Sequence, residues 1–373
     1  MAGRSGAAGI ARPYRRGALE SGAEPLARLH RLLELCIRYG TRPFAGLARA
    51  GFIAVQMLRS LVTAGILSPA EHERFMTGLD TVSRRLSREL RDVDRPTFLR
   101  RYGHLRPGTF DISLPRYDEA PDAYFDWDIA AHPPATVEPP PAPFRAGAAQ
   151  LSEIGRMLRA HGLAGDGAQL LAFIRSAIEW REQAKFAFTQ CLSDALSILR
   201  VFGERHGFSA AEMAYVSIEA PGPLLPGVAA PRELLRDAIA QGQSAYRETA
   251  ALWLPPLVTR PGDVHSFFVP SAEPNFITQR RVTGPVVRPE DRLRLAGGIV
   301  FLERADPGYD WLFARRIGGL VTAYGGSNSH MAIRAGELGM PAVIGAGTTH
   351  FQQWGRAARL ALDCAARRVE MLP

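Results

Sequence analysis

Residues 325–345 read Gly-Gly-Ser-Asn-Ser-His-Met-Ala-Ile-Arg-Ala-Gly-Glu-Leu-Gly-Met-Pro-Ala-Val-Ile-Gly, and this stretch decides the fold of the C-terminal part of the chain. Just before it, Ile317 to Tyr324 ends in a β-prone run, and Gly325 and Gly326 then allow backbone angles closed to other residues. Asn328 and Ser329 are N-cap types, which predicts a helix beginning at about His330. Met331, Ile333, Ala335 and Leu338 give that helix an apolar face, and Gly339 followed by Pro341 stops it. Ala342-Val343-Ile344 reads as a buried strand closed by Gly345.

A helix start places the His330 imidazole at the positive end of the helix dipole, beside backbone N–H groups free to hold an anion. A histidine in that position can accept a phosphoryl group and pass it on. Gly325, Gly326, Ser327, Asn328 and Ser329 are the expected phosphate-stabilising residues, each charge-assisted bond being worth about 1.5–3 kcal/mol. The plainer reading of the same residue is a capping or surface histidine. The wider pattern bears on this choice: Thr322, Gly325-Gly326, Ser329-His330, Glu337-Leu338-Gly339, then Pro341-Ala342-Val343-Ile344-Gly345. It resembles the signature of the mobile phosphohistidine domain of phosphoenolpyruvate-utilising enzymes, which include phosphoenolpyruvate synthase, pyruvate phosphate dikinase and rifampin phosphotransferase. The resemblance implies that His330 is the phosphorylated, catalytic histidine.

Composition bounds the rest. A chain of 373 residues with 46% hydrophobic side chains has room for two domains and their cores. No apolar run approaches the roughly 18 residues of a membrane span, and the Arg-rich start lacks the apolar core of a signal peptide, so a cytoplasmic protein with no membrane partner is expected. Cys36, Cys191 and Cys364 are widely spaced, which argues against a disulfide framework and against a cysteine metal site; no metal ligands are read. The net charge of +8 comes from scattered arginines, and no nucleic-acid partner is expected. Of the 45 basic residues only Lys185 is a lysine, a bias that looks like genome composition.

Three regions separate along the chain, and the expected fold class is α + α/β. Residues 1–23, with Arg4, Arg12, Arg15 and Arg16, read as a disordered basic tail. Residues 24–260 read as an all-helical domain interrupted by a Pro-rich loop over 132–143. Within it, Leu26, Leu29, Leu32, Leu33 and Cys36 share a face, and Phe52 through Leu61 continue a buried helix. Ser68-Pro69-x-Glu71 and Ser209 with Glu212 are capping-box starts, and helices resume from about Leu151 to Gly207. From residue 261 to 373 short strands with Gly and Pro punctuation take over: Phe276 to Val287, Gly298 to Leu302 and Leu320 to Ala323. By resemblance this is a β/β/α phosphohistidine swivel domain. Ala305-Asp306-Pro307-Gly308 resembles the turn before the histidine strand, and Arg359 to Val369 the closing strands. The family usually has Asp-Gly where this chain has Asp363-Cys364, a departure at a turn whose glycine serves backbone conformation.

The helical region carries a second resemblance. Gly40-Thr41-x-Pro43-Phe44-Ala45, Ile66-Leu67-Ser68 and the passage Phe98 to Glu119 resemble the central part of phosphoenolpyruvate-synthase-like kinases, including the L-glutamine kinases of capsule biosynthesis. This implies an acceptor-binding role for the helical domain. His104, Arg106, Thr109, Asp111 and Arg116 gather cations, a hydroxyl and a carboxylate on a loop stiffened by Pro107 and freed by Gly108. Arg106 or Arg116 suits an amino acid's carboxylate and Asp111 its ammonium. The other reading is an interior polar network tying the loop to the helices. Arg181 and Lys185, four apart, either clasp an anion or belong to a solvated face.

Neither a Walker-type loop nor an ATP-grasp pattern is found, and no (β/α)₈ repeat. The chain therefore reads as two parts of a three-part machine, active only with an ATP-grasp subunit in trans, or as a truncated piece inactive by itself. The resemblance implies a phosphotransferase. His330 would take a phosphoryl group from Mg²⁺·ATP held by that partner, leaving AMP and phosphate, and deliver it to a small acceptor such as the amide of glutamine. The alternative is a non-catalytic phosphohistidine carrier, regulatory protein or remnant of such a kinase.

Overall fold

Local capping signals set half of the helix starts. In the computed structural model, which describes residues 24–125, 127, 144–218, 230–252, 254–255, 258–265, 273–305, 307–327 and 329–373, Ser68 and Glu71 close a reciprocal capping box at the start of helix Pro69–Thr77. Ser209 and Glu212 do the same at Ala210–Met213. The expected basic tail (1–23) and Pro-rich loop (132–143), together with Asp306 and Asn328, lie outside the described residues.

The helices, in chain order, are α1 (Pro25–Cys36), α2 (Arg42–Thr63), α3 (Pro69–Thr77), α4 (Val82–Asp92), α5 (Arg95–Tyr102), α6 (Pro121–Tyr124), α7 (Ala148–Ala160), α8 (Gly167–Arg205), α9 (Ala210–Met213) and α10 (Pro231–Ala251). The 39-residue α8 is the spine. Its C-terminal half packs with α1 and α10 around Leu29, Leu32, Leu199 and Leu235. Its N-terminal half packs with α2, α3 and α7 around Leu58, Phe75, Ile154 and Ile174. A π-turn, Ile37–Thr41, joins α1 to α2, and Gly40 lies so close to α8 that a Cβ there would stand 2.6 Å from Phe188 Cβ. That contact gives the Gly40-Thr41 motif its physical reason.

Two expectations for this region need correction. Phe52 and Ile53 do not continue a buried helix: they are 52% and 55% exposed, because only Gly51, Ala54, Leu58 and Leu61 of α2 turn inward. The π-turn also makes Pro25–Thr63 one continuous helical run of 39 residues. A window within it has a mean hydropathy of 1.2 and meets the length and composition of a membrane span, with 28% of that window buried.

The C-terminal part is a seven-stranded sheet. Its strands are β1 (Asn275–Ile277), β2 (Arg281–Val287), β3 (Ile299–Arg304), β4 (Gly319–Tyr324), β5 (Ala342–Ile344), β6 (Arg359–Asp363) and β7 (Arg368–Leu372), in the order β1-β5-β4-β3-β2-β6-β7. The four central strands are parallel, with Ile299 opposite Gly319 and Leu320 opposite Ala342, while β1, β6 and β7 run antiparallel at the edges. Parallel strands need crossovers and burial on both faces. A 3₁₀ segment, Pro307–Arg315, connects β3 to β4, and helix α11 (His330–Glu337) connects β4 to β5. Alternation along β3 sends Ile299 and Phe301 to the face covered by α12 (Gly347–Trp354). Val300 and Leu302 point to the other face, where they meet Met331 and Ala335 of α11.

That second face is shared with the helical part. Phe98, Tyr102, Tyr117, Tyr124 and Phe125 join Trp311, Leu312 and Phe313 in one continuous core. The contact is also polar: Arg315 Nη2 and Arg292 Nη1 donate to the Ala123 carbonyl at 2.8 and 3.1 Å. At the β6–β7 turn, the left-handed residue is Arg367 (φ +52°) and not Cys364, so no glycine is required at the departure noted in the sequence. Cys364 is instead core, with burial pushing its thiol up to about 11.

Candidate functional site

Ser329 caps α11, its hydroxyl accepting from the Ala332 N–H at 3.4 Å, and His330 is the first helical residue. Thr322, fully buried near the end of β4, ties that end to the start of the loop after β5. Its hydroxyl donates to the Tyr324 carbonyl and accepts from the Gly345 N–H, each at 3.0 Å. The ends of β4 and β5 are thereby pinned together. Gly325 has φ +131°, and a Cβ on Gly345 (φ +70°) would stand 2.2 Å from the Gly325 carbonyl, so both glycines are required by geometry.

His330 and Asp310 follow the C-terminal ends of adjacent parallel strands, β4 and β3, and this topology brings them together. Their contact is 2.8 Å, from Nε2 to Oδ1. Since a carboxylate only accepts, Nε2 carries the proton. Arg334, one turn along α11, donates through Nε to the same oxygen at 3.4 Å and through Nη1 to Glu337 Oε2 at 2.8 Å. Burial opposes a charge on Asp310, but His330 and Arg334 outweigh it and hold the carboxyl well below its usual range. Glu337 goes the other way: burial raises it, Arg334 pulls it down and nearby Glu182 raises it further. The apolar face expected for α11 therefore also carries a buried ion pair, Arg334 and Glu337 both being 3% exposed. Thr81 Oγ1 of the helical part donates to Glu337 Oε2 at 3.4 Å.

Removing Arg334 would leave two carboxylates without their cation in a buried place. The Arg334→Ala protein should lose about 3–5 kcal/mol of stability. Urea unfolding followed by circular dichroism checks this; a midpoint equal to that of the unaltered chain would refute the pairing.

The His330 side chain, 11% exposed, opens on a small cavity of about 80 Å³ between the two parts of the chain. Asp310, Trp311 and Arg334 line it from the sheet side; Ser83, Ser87, Arg106, Thr109, Glu182, Lys185 and Thr189 line it from the helical side. Thr109, Lys185 and Trp311 also line an adjoining cleft of about 610 Å³, with Phe110, Asp111, Tyr124, Glu290 and Arg292. Lys185 thus stands where the two spaces meet.

The residues singled out in the sequence are distributed unevenly. Arg106, Thr109 and Lys185 share the cavity with His330. Yet Arg106 is fully engaged: its guanidinium donates to Ser193 Oγ and O, Ser197 Oγ, and the carbonyls of Asp111 and Leu114, all at 3.1–3.3 Å. These five bonds use its five N–H groups, which is the interior network weighed as the alternative. Arg116 grips Asp118 with two bonds and Asp194 with a third. Asp111 accepts from the Ser113 N–H and hydroxyl. His104 is buried against Phe186, ring centres 4.9 Å apart. Arg181 and Lys185 form no common clasp: Arg181 pairs with Glu182 at 3.2 Å and lies over Phe52, packed against Gly51 of α2. Of the turn residues, Ser327 lines a different cleft, between α2, α3 and β1, and Asn328 is outside the described residues.

Asp310, Glu182 and Arg334 were not singled out from sequence. Glu182, Lys185, Thr189, Ser193 and Ser197 form a polar stripe at three- and four-residue spacing on α8, a signal the sequence does contain. Asp310 has no such signal, because its segment is neither strand nor long helix. Among the described residues, no cluster of three or more His, Cys, Asp and Glu is placed to hold a metal ion.

Residues 295–367 match the family model of the PEP-utilising enzyme mobile domain, a match that implies a phosphotransfer role for this part of the chain. The match spans β3 through the β6–β7 turn and includes both Asp310 and His330. No curated protein matches the chain.

Proposed function

We propose that this chain is the histidine-carrying and acceptor-binding part of a phosphotransferase. His330 takes a phosphoryl group from ATP held with Mg²⁺ by an ATP-grasp protein or domain outside these residues, and hands it to a small acceptor. The single observation that carries this reading is that His330 and Lys185, from separate parts of the chain, face one cavity that widens into a cleft. A cleft of about 610 Å³ lies in the range of small-molecule sites. In delivery, the acceptor attacks phosphorus and the P–N bond breaks, its electron pair returning to the imidazole. Lys185 offsets the charge on the phosphoryl oxygens during transfer. Covalent carriage lets one phosphoryl group serve two sites that are never assembled together. The amide of glutamine is the acceptor that the likeness of the helical part to glutamine kinases supports.

A specific observation favours a second reading, a phosphohistidine carrier that does not itself bind an acceptor. Of the cations an amino-acid carboxylate would need, Arg106 has all five donors engaged and Arg116 is already paired with Asp118 and Asp194.

The test is labelling of the chain from [β-³²P]ATP with a candidate ATP-grasp partner, followed by addition of glutamine and other small amide and hydroxyl compounds. Acid-labile label should appear on the chain only when the partner is present, and then move to one acceptor. AMP formation by the purified chain alone would overturn the need for a partner; stable label that no acceptor discharges would favour the carrier.

A further inference from the structure

The imidazole that is to carry phosphate already has a partner where the phosphate would go. Asp310 Oδ1 stands 2.8 Å from His330 Nε2, and Arg334 holds the same oxygen at 3.4 Å. Arg334 is itself fixed by Glu337, whose carboxylate receives the Thr81 hydroxyl of the helical part. Asp310 is therefore held against the ring by a braced chain of contacts. A phosphoryl group on Nε2 would occupy the line of that hydrogen bond and set its charged oxygens against the carboxylate. Like charges this close in a poorly hydrated site repel strongly.

We propose that Asp310 is a positioning residue for the delivery step: it disfavours phosphate on Nε2 in this arrangement and receives the Nε2–H that delivery creates. This rests on His330 being the phosphoryl carrier. The step balances as follows. The acceptor X–H attacks phosphorus, the P–N bond breaks with its electron pair returning to Nε2, and the proton of X–H ends on Nε2. The product is X–phosphate and the neutral imidazole protonated at Nε2, the tautomer whose N–H Asp310 accepts. The arrangement described is thus the discharged state, and recharging Nε2 requires Asp310 to turn away. Lys185, across the cavity, lies near enough for its charge to act on Asp310. It faces a carboxylate in the discharged state and a phosphoryl group in the charged one.

The experiment uses the full chain and potassium phosphoramidate, a chemical phosphoryl donor that needs neither partner nor acceptor. Wild type, Asp310→Asn, Asp310→Glu and His330→Ala are labelled, and the decay of phosphate on His330 is followed at neutral pH by ³¹P NMR. The asparagine is neutral and can donate to the phosphoryl oxygens, so its phosphohistidine should persist about ten-fold longer or more than that of wild type. The glutamate keeps the charge and should stay within about three-fold of wild type. A purely structural role would reduce labelling of both variants and lengthen neither lifetime. If His330→Ala takes the same label as wild type, the carrier reading itself fails. If it stays blank while Asp310→Asn decays at the wild-type rate, only the role of Asp310 fails. A second measurement needs no substitution: ¹⁵N shifts of the unlabelled wild-type ring should show Nε2 protonated, and a bare Nε2 would overturn the proposal.

Discussion

The His330→Ala protein should fold and yet incorporate no acid-labile phosphate from the donor complex, a loss of about 10⁴-fold or more. The size follows from the role: without a nucleophile there is no covalent intermediate, and no neighbouring group can replace it. Asp310 is held by Arg334 and could give only an acyl phosphate, which alkali destroys, while Arg334 stays charged and engaged with Glu337 and the Ser329 hydroxyl caps the helix. The fold should survive because His330 contributes one side-chain hydrogen bond, worth about 1.5–3 kcal/mol when its partner is charged, and Asp310 keeps Arg334. Phosphate incorporation measured after alkaline and acidic treatment, beside a circular dichroism melt, separates the two effects. Undiminished labelling of a folded His330→Ala protein would remove the histidine from the mechanism.

Lys185→Ala should lower the rate of phosphoryl delivery by about 10²–10³-fold, the usual cost of one group that stabilises transition-state charge. Charging of His330 at the donor should change far less, because Lys185 belongs to α8 and not to the histidine-bearing sheet. Lys185→Arg should restore part of the rate, since a planar guanidinium keeps the charge but not the compact ammonium geometry. The single lysine among 45 basic residues gains meaning here. In a chain that uses arginine wherever a cation suffices, the one lysine stands in the cavity beside the histidine. Single-turnover transfer from pre-charged chain to acceptor is the measurement. Equal rates for Lys185→Ala and wild type would leave the cavity without its cation and favour the carrier reading.

The shared core qualifies how freely the sheet could swing. Phe98, Tyr124 and Phe125 interlock with Trp311 and Phe313, so separation of the two parts would expose aromatic surface. Burial of large aromatics is worth about 1.5–3 kcal/mol each. The state described here is for that reason a firmly docked one, with His330 presented to the helical part.

What the sequence determined by itself was local. Ser68 with Glu71, Ser209 with Glu212, and Ser329 before His330 cap helices because the partners lie within three residues. Gly325 and Gly339 were legible as conformational needs, and Thr322 was legible through resemblance before its two hydrogen bonds gave the reason. His330 was found on such local signals together with the resemblance of residues 322–345 to the mobile-domain signature. The tertiary structure decided the surroundings. Asp310 lies 20 residues before His330 and meets it only because β3 and β4 are parallel neighbours. Lys185 reaches the cavity from the middle of a 39-residue helix, and Arg106, a plausible ligand by type, spends its donors holding a loop to that helix. Side-chain type fixes what a residue can donate or accept; only long-range packing decides which partner takes the bond.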